Sequence, residues 1–214
     1  MIRTRVVKIG GSLMNNPVEL RSVVETVVAD NSRTAIVNGS GELRHSQNRW
    51  LELSGTSLSR EKDLELLHKQ RLMGSYLLNC LNDHTAVVSS KRALFTAWDD
   101  GVVPIVDIST AIPRLRSTRY GMDSGAAYLC GELGAREMIK LTNVDGVMNS
   151  NGDIIPFLTY QDAVRMGQTC VDDGAASVME EYGVTCYVIN GERDDRIKRF
   201  LAGKACLNTK IGVE

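Results

Sequence analysis

The chain has 214 residues, 43% of them hydrophobic, and its 25 basic side chains are balanced by 26 acidic ones. A chain of this length buries one sizeable core, perhaps with a small lid, and hardly two, so a single unit over 1–214 is expected. The balanced charge gives no global field toward DNA, RNA or an anionic membrane surface, so nucleic-acid and membrane partners are not expected and any anion site is local.

In chain order, a first strand is predicted over 5–10, inside the apolar run that Lys8 and the pair Gly10-Gly11 interrupt. That interruption rules out a signal-peptide core, and no run elsewhere approaches membrane-spanning length. A helix opens at Asn16, with Asn as cap, Pro17 in the first helical position and Glu19 in the first turn. A strand over 34–38 and a second glycine turn follow. A helix over 59–81 carries a stripe of Leu64, Leu67, His68, Arg71, Leu72, Tyr76, Leu77 and Leu78. Strands are expected over 85–88, 103–107, 137–142, 185–190 and 206–210, with further helices after Asp123 and after Asp173 and others filling the gaps. Residues 149–153 (NSNGD) read as a tight hairpin turn, and Val147 stands where a calcium loop would need its first Asp. Apolar runs of strand length alternating with helical segments define an α/β fold with a mostly parallel sheet. The five cysteines, Cys80, Cys130, Cys170, Cys186 and Cys206, are odd in number and form no C-x-x-C pair. That usage points to reduced thiols and a cytoplasmic protein.

Two glycine turns directly follow predicted strands, in VVKIGGSL and VNGSGEL. Glycines at a strand's carboxyl end let backbone amides approach a phosphate with no Cβ in the way, and open α/β sheets bind ligands at that edge. Neither turn fits the Walker or dinucleotide fingerprint. Lys8 is sharper: a lone charge within Val6-Val7-Lys8-Ile9 either lies on a solvated strand face or is aimed at an anion. In MDSGAAYLCGELGAREMIKLTNVDGVM, Asp123 and Ser124 open a helix faced with Gly125, Ala126 and Ala127, and an acidic residue there can be an N-cap or a functional group.

Taken together, VKIGGSL, the second glycine loop, the D-S-x-A-A helix and LTNVDGV resemble, in order and spacing, the amino acid kinase family. The resemblance continues through VDDGAASVMEEYGVTCYVINGE. It implies a three-layer α/β/α sandwich that transfers phosphate from ATP, carried with Mg2+, to a small acidic metabolite. The acceptor would lie in the N-terminal half, about 1–120, and the nucleotide in the C-terminal half, about 121–214. By this resemblance Lys8 holds the transferred phosphoryl group and Asp123 orients that lysine. Gly10, Gly11 and Ser12 contact ATP phosphates, while Gly39, Ser40 and Gly41, with Arg44 and Ser124, line the acceptor side. Thr142, Asn143, Asp145, Gly146 and Val147 fall where the family builds its nucleotide site, and Asp172 aligns with an acidic position of the late helix. The family's habit also implies a homo-oligomer, a dimer being the least assumption.

The chain departs from the family pattern in three places. Gly39-Ser40-Gly41 replaces three glycines, Thr142-Asn143 replaces T-D, and Cys170-Val171-Asp172-Asp173-Gly174 stands where many members carry a second catalytic lysine. Lys140, Lys91, Arg92, Arg44 and Arg119 are the candidate substitutes. The short chain and the segment 43–81, with Arg44, His45, Arg49 and His68, look most like the small archaeal-type members that phosphorylate an existing phosphate monoester. Uridylate-type kinases are the second expectation, and a non-catalytic oxyanion-binding protein of the same fold the third.

Overall fold

The structure is a computed structural model that describes residues 3–30, 32–112, 115, 120–167 and 169–213. Its first part runs β1 (Thr4–Ile9), α1 (Pro17–Val28), β2 (Arg33–Asn38), α2 (Glu42–Ser54), α3 (Arg60–Asn79), β3 (Thr85–Val88), α4 (Lys91–Asp99), β4 (Val103–Val106) and α5 (Ile108–Ala111). It continues with α6 (Met122–Leu133), β5 (Glu137–Thr142), β6 (Phe157–Leu158), α7 (Tyr160–Met166), α8 (Ala175–Tyr182), β7 (Thr185–Asn190), α9 (Asp194–Leu201) and β8 (Thr209–Ile211). The helix starts follow local chemistry: Asn16 accepts from the amides of Val18 and Glu19 ahead of Pro17, and Ser59 accepts from Lys62 to open α3.

The eight strands form one sheet in the order β3-β4-β2-β1-β5-β7-β8-β6. β1 lies in parallel between β2 and β5, and only β7 and β8 pair antiparallel among the described strands. Strands buried on two faces need apolar side chains on both, which is why β1, β2 and β5 read as nearly continuous apolar runs. On one face Val6, Ala35, Val37, Met138 and Val188 pack against Ala126, Ala127 and Leu129 of α6 and Ala176 and Met179 of α8. On the other, Val7, Ile9, Ile36, Ile139 and Leu141 pack against Leu20, Val23 and Val24 of α1 and Ile197 of α9. This is the expected three-layer α/β/α sandwich.

Small residues set the spacing of the first layer. A Cβ on Gly131 of α6 would stand 2.2 Å from the Tyr182 ring of α8, so the two helices touch through a position that tolerates no side chain.

Two local expectations are corrected, and one strand lies beyond them. The terminal strand is Thr209–Ile211 rather than 206–210, because Asn208 turns back onto the Cys206 carbonyl while fully buried Thr209 begins the pairing. β6, only two residues long, has too little pattern to be legible in the sequence. The buried face of α3 is Leu67, Arg71, Gly74, Ser75 and Leu78, whereas Tyr76 and Leu77 are about half exposed at 53% and 49%. The turn at 149–153 forms as expected: the Asn149 amide donates to the Asp153 carbonyl, and the Asn149 side-chain oxygen accepts from the amides of Asn151 and Asp153.

Candidate active site

The sheet brings the carboxyl ends of β1, β2, β5 and β7 to one edge and sews them together through the backbone. Gly10 N–H donates to Leu141 O at 2.7 Å, Gly39 N–H to Ile9 O at 2.9 Å and Gly191 N–H to Thr142 O at 2.6 Å. From β1 the chain builds outward through β2 on one side and β5 on the other, so this edge is the topological switch point where α/β sheets open a ligand crevice. The two glycine turns are in direct contact there. A Cβ on Gly39 would meet the Gly11 nitrogen at 2.6 Å, and one on Gly11 would meet the Gly41 nitrogen at 2.9 Å. Gly41 also has φ +53°, in the left-handed region that glycine adopts without strain. The obstacle at Gly39 is backbone that cannot swing aside, so Gly39→Ala is expected to destabilise the fold by about 1–3 kcal/mol. It should also lower turnover by spreading the two loops. Chemical denaturation and a kinase assay on the same sample check it.

Behind the loops lies a buried ionic cluster. Lys8 and Lys140 are register neighbours on β1 and β5, so their side chains leave the same face of the sheet. Both reach Asp123 near the start of α6: Lys8 Nζ is 2.9 Å from Oδ1 and Lys140 Nζ is 2.6 Å from Oδ2. Lys140 Nζ also donates to the Cys170 carbonyl. Lys8, Lys140 and Asp123 are 6%, 6% and 4% exposed, which places them out of bulk water. Burial pushes the Lys8 ammonium below its ordinary pKa, against the pull of Asp123. Burial alone would raise Asp123, but Lys8 and Lys140 together outweigh it and hold the carboxyl below the usual range.

Asp123 is not the helix cap. Gly121 is the cap residue, and Asp172, arriving from the segment before α8, supplies the capping oxygen from 49 positions away. Its Oδ2 accepts from the amides of Asp123 at 2.7 Å and Ser124 at 3.0 Å, and its Oδ1 accepts from the Ser124 hydroxyl. The Asp172 amide in turn donates to Asp123 Oδ2 at 3.1 Å. A Cβ on Gly121 would sit 2.0 Å from the Asp172 carboxylate, so the missing side chain is what admits the cap. A carboxylate at a helix N-terminus meets free amides and the positive end of the dipole, and its effect here is to lock Asp123 beneath the two lysines.

The other expected site residues divide by surroundings. Gly10, Gly11, Ser12, Gly39, Ser40 and Gly41 line the shared edge, and Thr142 ends β5 beside them. Asn143 is exposed. The Asp145 carboxylate accepts from the Arg196 guanidinium of α9 and from Asn190 Nδ2 at 2.7 Å, which hold its pKa down. Gly146 and Val147 pack on β8, where the Val147 amide donates to Thr209 Oγ at 2.8 Å. Arg44, in the first turn of α2, forms an ion pair with Asp63 of α3 at 2.8 Å. That pair borders a cavity of ≈ 470 Å³ between α2 and α3, shared with Leu51, Ser57, Leu58 and Arg60. Of the proposed lysine substitutes, Lys140 joins the cluster and Lys91 is engaged with Glu132 at the surface, while Arg119 lies outside the described residues. Lys140 carried the same signal as Lys8, a single lysine inside an apolar parallel strand. Arg71 of α3 carried no separate signal, because it falls on the apolar stripe of that helix.

A rigid cradle of main chain at the carboxyl edge of a parallel sheet, backed by two ammonium groups sharing one carboxylate, is suited to neutralising a phosphoryl group in flight. These features define a phosphotransferase of the α/β sandwich class. A profile of the amino acid kinase family matches residues 3–190, and the chain belongs to that family. It is 25% identical to a (5-(aminomethyl)furan-3-yl)methyl phosphate kinase of Methanocaldococcus jannaschii, over 96% of each chain. It is 24% identical to a uridylate kinase of Thermotoga petrophila, over 88% of this chain and 86% of the other. The crystal structure of UMP kinase from Ureaplasma parvum superposes with a TM-score of 0.81 at 18% identity, covering 99% of this chain and 97% of that one, and shows the shared fold. The protein is accordingly a kinase. No helix among the described residues is long and apolar enough to cross a membrane.

Proposed function

We propose that the protein moves the γ-phosphate of ATP onto a small metabolite that already carries a phosphate monoester. The observation that carries this reading is the Lys8–Asp123–Lys140 cluster, closed from water and set behind two glycine loops in backbone contact. The loops offer bare main chain to a phosphate: a Cβ on Gly11 or Gly39 would stand 2.9 or 2.6 Å from the backbone of the other turn, and one on Gly10 2.8 Å from Leu141 O of β5. Gly10, Gly11 and Ser12 would hold the nucleotide phosphates, the segment 142–147 would flank the nucleoside, and the cavity beside Arg44 would receive the acceptor. When bound, Mg-ATP supplies the transferable phosphoryl group and the metal's share of charge neutralisation. Asp123 has its two oxygens on ammonium groups and Asp172 its two on the start of α6, so magnesium fits as an ion carried in on the nucleotide.

In this mechanism Lys8 holds charge developing on the phosphoryl oxygens, and Lys140 fills the place left by the lysine missing from the late helix. Asp123 pairs with both ammonium groups and keeps them aimed. No strong general base is needed, since phosphoryl transfer depends mainly on position and charge. The likeness to the furan phosphate kinase over the full length of both chains supports a monoester acceptor. The test is ADP formation from Mg-ATP against aminomethylfuran-methanol phosphate, UMP, N-acetylglutamate and carbamate, with nucleotide binding measured separately. Turnover on one phosphate monoester is the expected result. Tight nucleotide binding without turnover on any acceptor would sink the transferase reading, and turnover confined to a carboxylate would sink the monoester.

A further inference from the structure

Arg71 is the one guanidinium that α3 buries against the sheet side of the site. It is 5% exposed, and neither Nε nor Nη1 meets a hydrogen-bond acceptor among the described residues. The remaining nitrogen, Nη2, donates to the Tyr120 carbonyl at 2.6 Å, and the guanidinium carbon lies 4.5 Å from the centre of the Tyr120 ring. A charged group closed off with unmet donors is expensive, and an apolar side chain of similar volume would pack the same space at lower cost. Packing therefore does not account for an arginine here.

Its placement does. The Arg71 carbonyl accepts from Asn38 Nδ2 at 3.0 Å, the same nitrogen donates to the Gly39 carbonyl at 3.1 Å, and Ser75 Oγ donates to Asn38 Oδ1 at 2.7 Å. A Cβ on Gly74 would fall 2.4 Å from that nitrogen, so this turn of α3 is seated hard against the loop that touches Gly11. Burial lowers the Arg71 pKa, Tyr120 and Asp172 oppose that shift, and Arg44 adds to it. Tyr120, whose carbonyl Arg71 holds, directly precedes the Gly121 start of α6 that Asp172 caps, so Arg71 lies beside that start. Arg44 is occupied by Asp63, whereas Arg71 retains open donors.

We infer that Arg71 binds the anionic group already present on the acceptor, a phosphate in the reading above, on which this assignment rests. Guanidinium donors suit a phosphate's oxygens, and a lysine in their place would offer charge without the planar donor set. Arg71 is thus a specificity-determining residue, separate from the groups that touch the transferred phosphoryl.

The experiment compares wild type, Arg71→Lys and Arg71→Met on UMP and aminomethylfuran-methanol phosphate. A KM for the phosphate monoester raised at least tenfold in both variants, with the KM for ATP within twofold of wild type, supports the assignment. An unchanged monoester KM in a folded variant overturns it while leaving the monoester reading intact. If wild type uses only a carboxylate acceptor and its KM rises in both variants, the monoester reading fails and Arg71 remains the anion ligand. Should both variants fail to fold, a crystal of wild type grown with inorganic phosphate decides. Phosphate oxygen on Nε or Nη1 of Arg71 upholds the inference, and an Arg71 that meets only protein refutes it.

Discussion

Replacing Lys8 by alanine is expected to reduce kcat by about a hundred- to a thousandfold, the effect of removing one preorganised donor to developing charge. The KM for ATP should change much less, because the glycine loops hold the phosphates through main chain. Side-chain geometry supports this size of effect, since Nζ is fixed 2.9 Å from Asp123 in a site that bulk water does not reach. An ammonium screened by solvent would contribute far less. Steady-state kinetics with saturating acceptor check the expectation, and a Lys8→Ala enzyme with wild-type kcat would remove this residue from the mechanism. Lys140→Met should give a loss of similar order, and the double variant should lose less than the product of the two, because both lysines act through one carboxylate.

Lys8 was legible because the physics is local. Within a parallel strand covered on both faces, a lone charge must have a buried partner, and Val6-Val7-Lys8-Ile9 announces that conflict within four residues. The glycine turns were legible for the same reason, each being a strand end followed at once by residues without Cβ. The alternation of strands and helices fixed the layer order, since parallel strands require crossovers.

What escaped was long-range. Asp123 read equally well as a helix cap, and only the arrival of Asp172 from 49 positions later shows that the capping role belongs elsewhere. Lys140 displayed the Lys8 pattern but became a partner only through the register of β5 on β1. Arg71 was hidden by periodicity itself: on an apolar stripe, an arginine four residues beyond Leu67 looks like a flank that reaches solvent along its aliphatic stem. In the fold its guanidinium lies 4.5 Å from the centre of the Tyr120 ring instead. The partners of the 142–147 loop were equally out of reach of the sequence: Asp145 pairs with Arg196 of α9, and the Val147 amide donates to Thr209 of β8.

Asp123→Asn is expected to be the most damaging single change to stability, at about 3–5 kcal/mol, because it leaves two buried ammonium groups without their anion. Its pH dependence separates this cause from simple loss of packing. In wild type the Asp123 carboxyl sits below its ordinary range, so its contribution is present above the unfolded carboxyl pKa and is lost as pH falls through the folded one. Asn has no such limb, so the deficit should shrink on acidification. It should also shrink on the alkaline side. Burial already lowers the Lys8 pKa, and without Asp123 that pKa falls further, so the folded variant releases a proton that the unfolded chain keeps until higher pH. Stability of the variant therefore rises with pH across that window while wild type gains less. Urea denaturation of the two proteins from about pH 2 to pH 10 measures the difference. A deficit that stays constant across the range would mean that Asp123 acts through shape, and that the two lysines do not depend on its charge.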